Sequence, residues 1–291
     1  MPLPPSYASE LVSWQGQRRF AIRAQSSCDR SCDAFVARVA FDYNAGLPAA
    51  ERKAIFRKAA AERRRVERDL KARSKKDEKA RGQISIENQC RYAPRLDGEG
   101  QVESENQRAA ALSVCLPVIV NTIRSRESWD RLRETAEAAM RAIARSLPVW
   151  ERVAQIPGFG DLGLAVLVAE AGDDLSAYPH HEHLWSRLGL APFQGKAGST
   201  WRRSGGLTKQ QWTDEFRYNP IRRGTIAGDV GLPLFFAKSS NAYGAVYTAR
   251  RAHTASTRPE WTALHSHNDA RRIMTKALVK DVWRAWRDRA S

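Results

Sequence analysis

Residues 156–172 read IPGFGDLGLAVLVAEAG, and the fold turns on this stretch. Pro157 disfavours helix at Ile156, so the preceding PVWERVAQI is expected to form a short helix that stops there. PGFG then bends the chain. Gly158 and Gly160 are expected to take backbone angles closed to other residues and to leave no side chain against an approaching ligand. Asp161 is an N-cap residue by type. LGLAVLVAEAG reads as a second, almost wholly apolar helix, and Gly172 is its stop. Free amides at the start of that helix, aided by its dipole, form an anion site. The alternative is a plain glycine-rich turn between two core helices. Asp161 favours that alternative, because a carboxylate repels a phosphate.

Upstream, LPAAERKAIFRKAAAERRRVERDLKARSKKDEKARG has no Gly or Pro between Pro48 and Gly82 and reads as one long helix. Ile55, Ala59, Val66 and Leu70 keep to one stripe, the spacing of a helix packed on a partner. Its positive face is either a solvated surface or a DNA-facing arm. Residues 83–103 read as an excursion or short hairpin, with DGEG as the turn. Helix resumes near Ser104, with a break expected at Pro117. It continues through RESWDRLRETAEAAMRAIARSL, where Trp129, Leu132, Ala136, Met140 and Ile143 recur at helical steps. Two long helices around a short excursion predict an antiparallel coiled hairpin. Residues 1–45 are mixed, with one helix expected around CDAFVARVAFDY. No solenoid-length repeat is visible.

The fold class is therefore mainly α: a long basic helical hairpin followed by a helical domain around the 156–172 bend. The expected boundary is at Pro148, separating residues 1–147 from 148–291. Toward the C-terminus, YNPIRRGTIAGDVGLPLFFAKSSNAYGAVYTARRAH predicts two helices, the first opening on Arg222 and Arg223. ARRIMTKALVKDVWRAWRDRA is strongly amphipathic. Met274, Ala277, Leu278, Val282, Ala285 and Trp286 face inward, and Arg271, Lys276, Lys280, Arg284 and Arg287 face outward. Asn268 or Asp269 is its expected N-cap.

The 291 residues carry 48 Lys and Arg against 32 acids, a formal charge of +16. That excess implies a polyanionic partner, nucleic acid above all. An apolar fraction of 42% with nine Trp excludes a disordered chain. No apolar run reaches the ~18 residues that span a bilayer, and the N-terminal stretch lacks a signal-peptide core, so a cytoplasmic location is the expectation. Cys28 and Cys32 form a C-x3-C pair, while Cys90 and Cys115 stand alone. Reduced thiols fit this better than zinc, which needs two more ligands. His180 and His181 are adjacent and cannot share a helix face. Neither their cluster with His183 nor the pair His265 and His267 has the i, i+4 spacing of a helical zinc site. No metal ligand or cofactor-binding residue is assigned.

The h-P-G-h-G-x-x-x-A pattern of the bend resembles the helix-hairpin-helix element, which grips the DNA backbone without reading sequence. That resemblance makes Pro157, Gly158, Phe159, Gly160 and Gly163 the DNA-binding set. Phe159 would be the apolar plug between the helices, and Ala165 the small residue that lets them close. Downstream comes DLSAYPHHEHLWSRLGLAPFQGKAGSTWRRSGGLTKQQW. The order is the hairpin, AEAGD, a Y-P turn, a helix ending in LGL-P, then a basic loop rich in Gly and Ser. Over roughly residues 148–250 this resembles the C-terminal domain of DEDD-type insertion-sequence transposases, which include recombinases guided by a structured bridge RNA. The preceding helical hairpin matches the coiled segment of that family.

The resemblance implies double-stranded DNA as partner, a guide RNA, a homo-oligomer, and a serine nucleophile acting in strand cleavage and transfer. Two departures stand beside it. The family's N-terminal nuclease-like domain, whose four carboxylates hold divalent metal, has no counterpart in residues 1–45. Asp29, Asp33 and Asp42 lie in polar or helix-like settings, and no carboxylate cluster for a metal is found. Counting from Gly189, the family's catalytic serine falls on Ala197. The nearest hydroxyl is Ser199 in KAGST, and Ser204 in RRSGG is next. Lys196, Arg202 and Arg203 lie within a few residues of Ser199, as offset for charge on a pentavalent phosphorus requires. Arg222 and Arg223 at the start of a helix are either phosphate contacts or plain surface charge. Two alternatives stay open: a loop that contacts DNA without chemistry, and a non-enzymatic DNA-binding protein that has lost catalysis. An RNA-binding scaffold fits the charge but has no base-stacking motif behind it.

Overall fold

The computed structural model describes residues 6–41, 43, 45–81, 102–172, 174–191 and 219–288. Every secondary-structure element among them is helical, so the fold is mainly α. The chain packs as two compact units, Arg19–Glu134 and Met1–Arg18 with Thr135–Ser291. The boundary expected at Pro148 lies inside the second of these.

Three helices build the Arg19–Glu134 unit: the later part of α1 (Ser6–Ala40), α2 (Ala49–Arg81) and the earlier part of α3 (Val102–Ser146). Helix α1 is far longer than the single helix expected near Cys32. The stripe of α2 is where its spacing put it, with Ala59, Val66 and Leu70 buried and Ile55 packed against them. Cys32, Val36, Ala37, Cys115, Leu116 and Ile119 complete that core. Pro117 does not break α3. A helical proline costs about 3 kcal/mol, and each buried neighbour such as Leu116 or Ile119 returns about 1.5–3 kcal/mol.

This unit also buries charge. The Arg63 side chain is 4% exposed and pairs with Asp29, Asp33 and Glu67. Arg126 bonds Asp29 at 2.7 Å and approaches Glu67 at 3.5 Å, and Gln25 donates to Asp130. Asp29 and Asp33 thus serve an ion-pair network, the condition on which buried charges are tolerated. Cys32 and Cys115 are free, buried thiols. Burial, followed by the neighbouring Cys32, pushes Cys115 up to about 11. Cys90, Asp42 and the excursion at residues 83–101 lie outside the described residues.

The other unit is organised around α5 (Asp161–Ala171), buried at every position except Leu162. The short α4 (Trp150–Val153) precedes it. A 3-10 turn at Leu175–Ala177 and α6 (His181–Arg187) follow. Next come α7 (Pro220–Thr225), a π-helical stretch Ile226–Gly231 and α8 (Leu232–Phe236). Helices α9 (Tyr243–Thr257) and α10 (Ala263–Arg287) pack together. Helix α10 also lies against α6, the 3-10 turn and the π stretch. There a Cβ on Gly231 would meet Thr275 Oγ1 at 2.7 Å.

Met274, Leu278, Val282 and Trp286 face inward, joined by Val279. The N-cap of α10 is Thr262, not Asn268 or Asp269. Asp269 instead bonds Arg250 and Arg272, each at 2.6 Å. Burial alone would raise this carboxyl, yet the two guanidinium groups hold it below its ordinary value. Among the described residues no group of three or more His, Cys, Asp or Glu is placed to hold a metal ion. No helix among them is long and apolar enough to cross a membrane.

Candidate nucleic-acid interface

The bend at 157–160 is a tight turn pressed against α8. The Phe159 amide donates to the Ile156 carbonyl at 3.0 Å, and Gly158 has φ +82°. A Cβ at Gly158 would meet the Pro233 carbonyl oxygen at 2.5 Å and the Leu234 Cα and Ala237 Cβ at 2.9 Å. Glycine is therefore required twice over, for the left-handed angle and for the close approach. Asn241 ties the two segments. Its Nδ2 donates to the carbonyls of Pro157 at 3.1 Å, Leu234 at 3.1 Å and Ala237 at 2.8 Å. Asn241 also accepts from the Gly244 amide at 3.1 Å, so three of its partners are local and only Pro157 lies across the fold.

Gly160 differs from the expectation. Its φ −84° and ψ −171° are extended angles open to any residue, and a Cβ there would meet nothing within 4 Å. It is also the N-cap of α5, displacing Asp161 into the first helical turn. Phe159 is 1% exposed and Ala165 fully buried. A Cβ on Gly163 would stand 3.0 Å from the Phe159 ring, so Gly163 is where that ring fits. Phe159 and Gly163 consequently act by packing and cannot touch a ligand themselves. Of the set Pro157, Gly158, Phe159, Gly160 and Gly163, only Pro157 and Gly160 are exposed.

The start of α5 already holds an anion. Asp161 Oδ1 accepts from the Leu162 amide at 2.8 Å and from Arg141, and Oδ2 accepts from Arg145 Nε at 2.8 Å. Burial pushes this carboxyl up, but the Arg145 hydrogen bond, the Leu162 amide and Arg141 outweigh it and leave it below its ordinary value. The helix dipole is thus met internally. The two arginines remain half exposed, their side chains at 42% and 60%, beside open Gly160. They offer an outside anion two cations, with Asp161 as their anchor.

At the other end of α5, Gly172 is the left-handed C-cap, φ 81°. Buried Glu170 accepts from Gln15 Nε2 at 2.8 Å, and Arg222 Nε lies 3.5 Å from it. Arg222 also donates to the Arg187 carbonyl at 3.3 Å. Arg222 is therefore turned inward, its side chain 16% exposed, and Arg223 is half-buried. Ser199, Ser204, Lys196, Arg202 and Arg203 lie outside the described residues.

In the Arg19–Glu134 unit, α2 presents Lys53, Arg57, Arg64 and Arg68 as exposed residues at steps of four and seven. That spacing sets them along one face of the helix, opposite the apolar stripe.

Residues 150–212 match the model of a family described as the transposase IS116/IS110/IS902 family. The matched segment starts at α4 and takes in the hairpin and α6. It supports an insertion-sequence transposase. No curated protein and no solved structure matches the chain.

Proposed function

We propose that the protein acts in DNA transposition, gripping duplex DNA by its phosphates and transferring strands through a serine nucleophile. The match of residues 150–212 carries this reading, because that span joins the helical hairpin to the loop bearing Lys196, Ser199, Arg202, Arg203 and Ser204. The +16 charge supports a polyanionic partner independently.

In the transfer step Ser199 Oγ attacks the scissile phosphorus. The bond from phosphorus to the leaving sugar oxygen breaks, and the serine proton ends on that oxygen. A phosphoserine ester and a free DNA hydroxyl result. A hydroxyl of the second strand then attacks the same phosphorus and releases the serine, so the count of phosphodiester bonds is unchanged. Lys196, Arg202 and Arg203 stabilise the charge on the pentavalent phosphorus. Ser204 is the second candidate for the nucleophile. Within its unit the open side of the hairpin at Gly160, with Arg141 and Arg145, holds DNA, and the basic face of α2 is a separate contact of the other unit. A second copy of the chain and a guide RNA complete the assembly. A non-enzymatic DNA-binding protein remains the second reading, since the family's serine position falls on Ala197.

Incubation with DNA carrying the element's own ends should give a covalent protein–DNA adduct that survives denaturant, and Ser199→Ala should abolish it. Loss in Ser204→Ala with retention in Ser199→Ala moves the nucleophile to Ser204. Duplex binding with no adduct under any condition selects the non-enzymatic reading.

A further inference from the structure

A second basic surface lies where α10 packs on α6. Lys276, Lys280, Trp283, Arg284 and Arg287 follow one another at i, i+4, i+7, i+8 and i+11, which sets them on one face of α10. At the helical rise this face is about 16 Å long. Duplex DNA carries a charge about every 1.7 Å along its axis, so the stripe spans some ten phosphates.

Two of the four cations, Lys276 and Arg287, are held over indole rings. Lys276 Nζ lies 3.9 Å from the centroid of Trp185, and the Arg287 guanidinium lies 4.9 Å from that of Trp283. The rings are themselves fixed, Trp185 donating to the Lys276 carbonyl and Trp283 to the Tyr178 carbonyl, both at 3.0 Å. Arg287 is anchored further by a 2.7 Å bond to the Pro179 carbonyl. His181 stands edge-on to Trp185 at 4.4 Å and lies 5.6 Å from Trp283, closing the cluster.

The nearby acidic groups are paired, Asp269 with Arg250 and Arg272 and Asp288 with Arg152. Glu182 bonds His181 at 2.9 Å, and Asp281 accepts from the Tyr243 hydroxyl at 3.1 Å, standing 4.0 Å from Arg284. The local field is positive. Burial lowers the His181 imidazole first, and Lys280, Arg284 and His180 lower it further against the opposing pull of Glu182.

We infer that this face of α10 is a second phosphate-tracking site for duplex DNA, with Lys280, Arg284 and Arg287 as its contacts and Trp283 as the scaffold of Arg287. It rests on the reading of DNA as the partner. Duplex is favoured over single-stranded nucleic acid because each indole carries a cation at its ring and so is not offered for base stacking, on which single-strand binding depends. Cations preset on rigid rings suit backbone contact without sequence readout.

The test is titration of full-length protein with random-sequence duplex over a range of salt, comparing the parent with Lys280→Gln/Arg284→Gln. Both side chains are at least partly solvent-exposed, and thermal melting checks that the fold is kept. The double variant should bind duplex about tenfold more weakly or worse, with the slope of log K against log salt shallower by about two. Unchanged affinity and slope would overturn the proposal. So would a loss confined to single-stranded RNA of equal length, which would assign the face to that partner. A parent that fails to bind duplex sinks the DNA reading and this surface with it. Duplex binding that depends on Lys280 and Arg284 in a protein forming no adduct leaves this site standing and removes only the strand-transfer chemistry.

Discussion

Helix α5 buries Leu164, Val166, Leu167 and Val168 with small Gly163, Ala165, Ala169 and Ala171 between them. Helix α2 buries Ala59, Val66 and Leu70 beside the charged Arg63 and Glu67. The first is held by apolar area along its length, with its buried carboxylates Asp161 and Glu170 paired near its two ends, the second by a thin apolar seam completed by ion pairs. Apolar packing responds to volume and little to pH or salt. A buried ion network answers to the loss of a single partner, because the remaining charges keep their desolvation cost. One chain thus combines two kinds of interior, and they should fail under different perturbations.

The largest effects are expected from removing the key side chain of each. Phe159→Ala should cost about 3–5 kcal/mol through the cavity left against Gly163. Arg63→Ala should cost about 3–5 kcal/mol by stranding Asp33 and Glu67. Thiol labelling separates them. Cys115, buried and raised to about 11, should resist reagent at pH 8 in the parent. Arg63→Ala should speed its labelling far more than Phe159→Ala does. Equal acceleration by both variants would show that the two interiors open as one.

Next come the two glycines of the turn. Gly158→Ala forces a Cβ onto the Pro233 carbonyl at a left-handed angle and should cost about 2–4 kcal/mol by thermal or denaturant melting. Gly160→Ala should cost no more than about 1 kcal/mol, the loss of a glycine N-cap, since its angles are ordinary and the space is open. If the two melt alike, the turn does not sit on α8 as described.

A smaller effect is expected in acid. Asp161 is held below its ordinary value of 3.8, so its ion cluster contributes fully above that value and is lost as pH falls through the lower folded one. Arg145→Ala weakens the hold and should move the acid limb of unfolding, followed by circular dichroism, to higher pH. An unmoved limb would mean the cluster contributes nothing to stability.

Short-range physics was legible without coordinates. Helix α2 is evident from its Ala, Arg and Glu composition and its single stripe, and the stop at Gly172 from its residue type. Each depends on contacts within a few residues. What stayed hidden depends on distant partners. Helix α1 shows no single stripe because Leu11 belongs to one core and Cys32 and Val36 to the other. Helix α3 likewise divides Leu116 and Ile119 from Met140 and Ala144, and so runs through Pro117. Asp161 reads as a cap, but Arg141 and Arg145 from α3 make it an ion-pair centre. Arg222 reads as a surface cation, yet Glu170 draws it inward. Lys276 reads as solvent-facing and lies on Trp185. Sequence by itself determined the helical class and the apolar faces of α2 and α10, because backbone propensity and periodicity are local. Tertiary structure alone decided which charges meet, because a Coulomb or cation–π partner is chosen by distance in space and not along the chain.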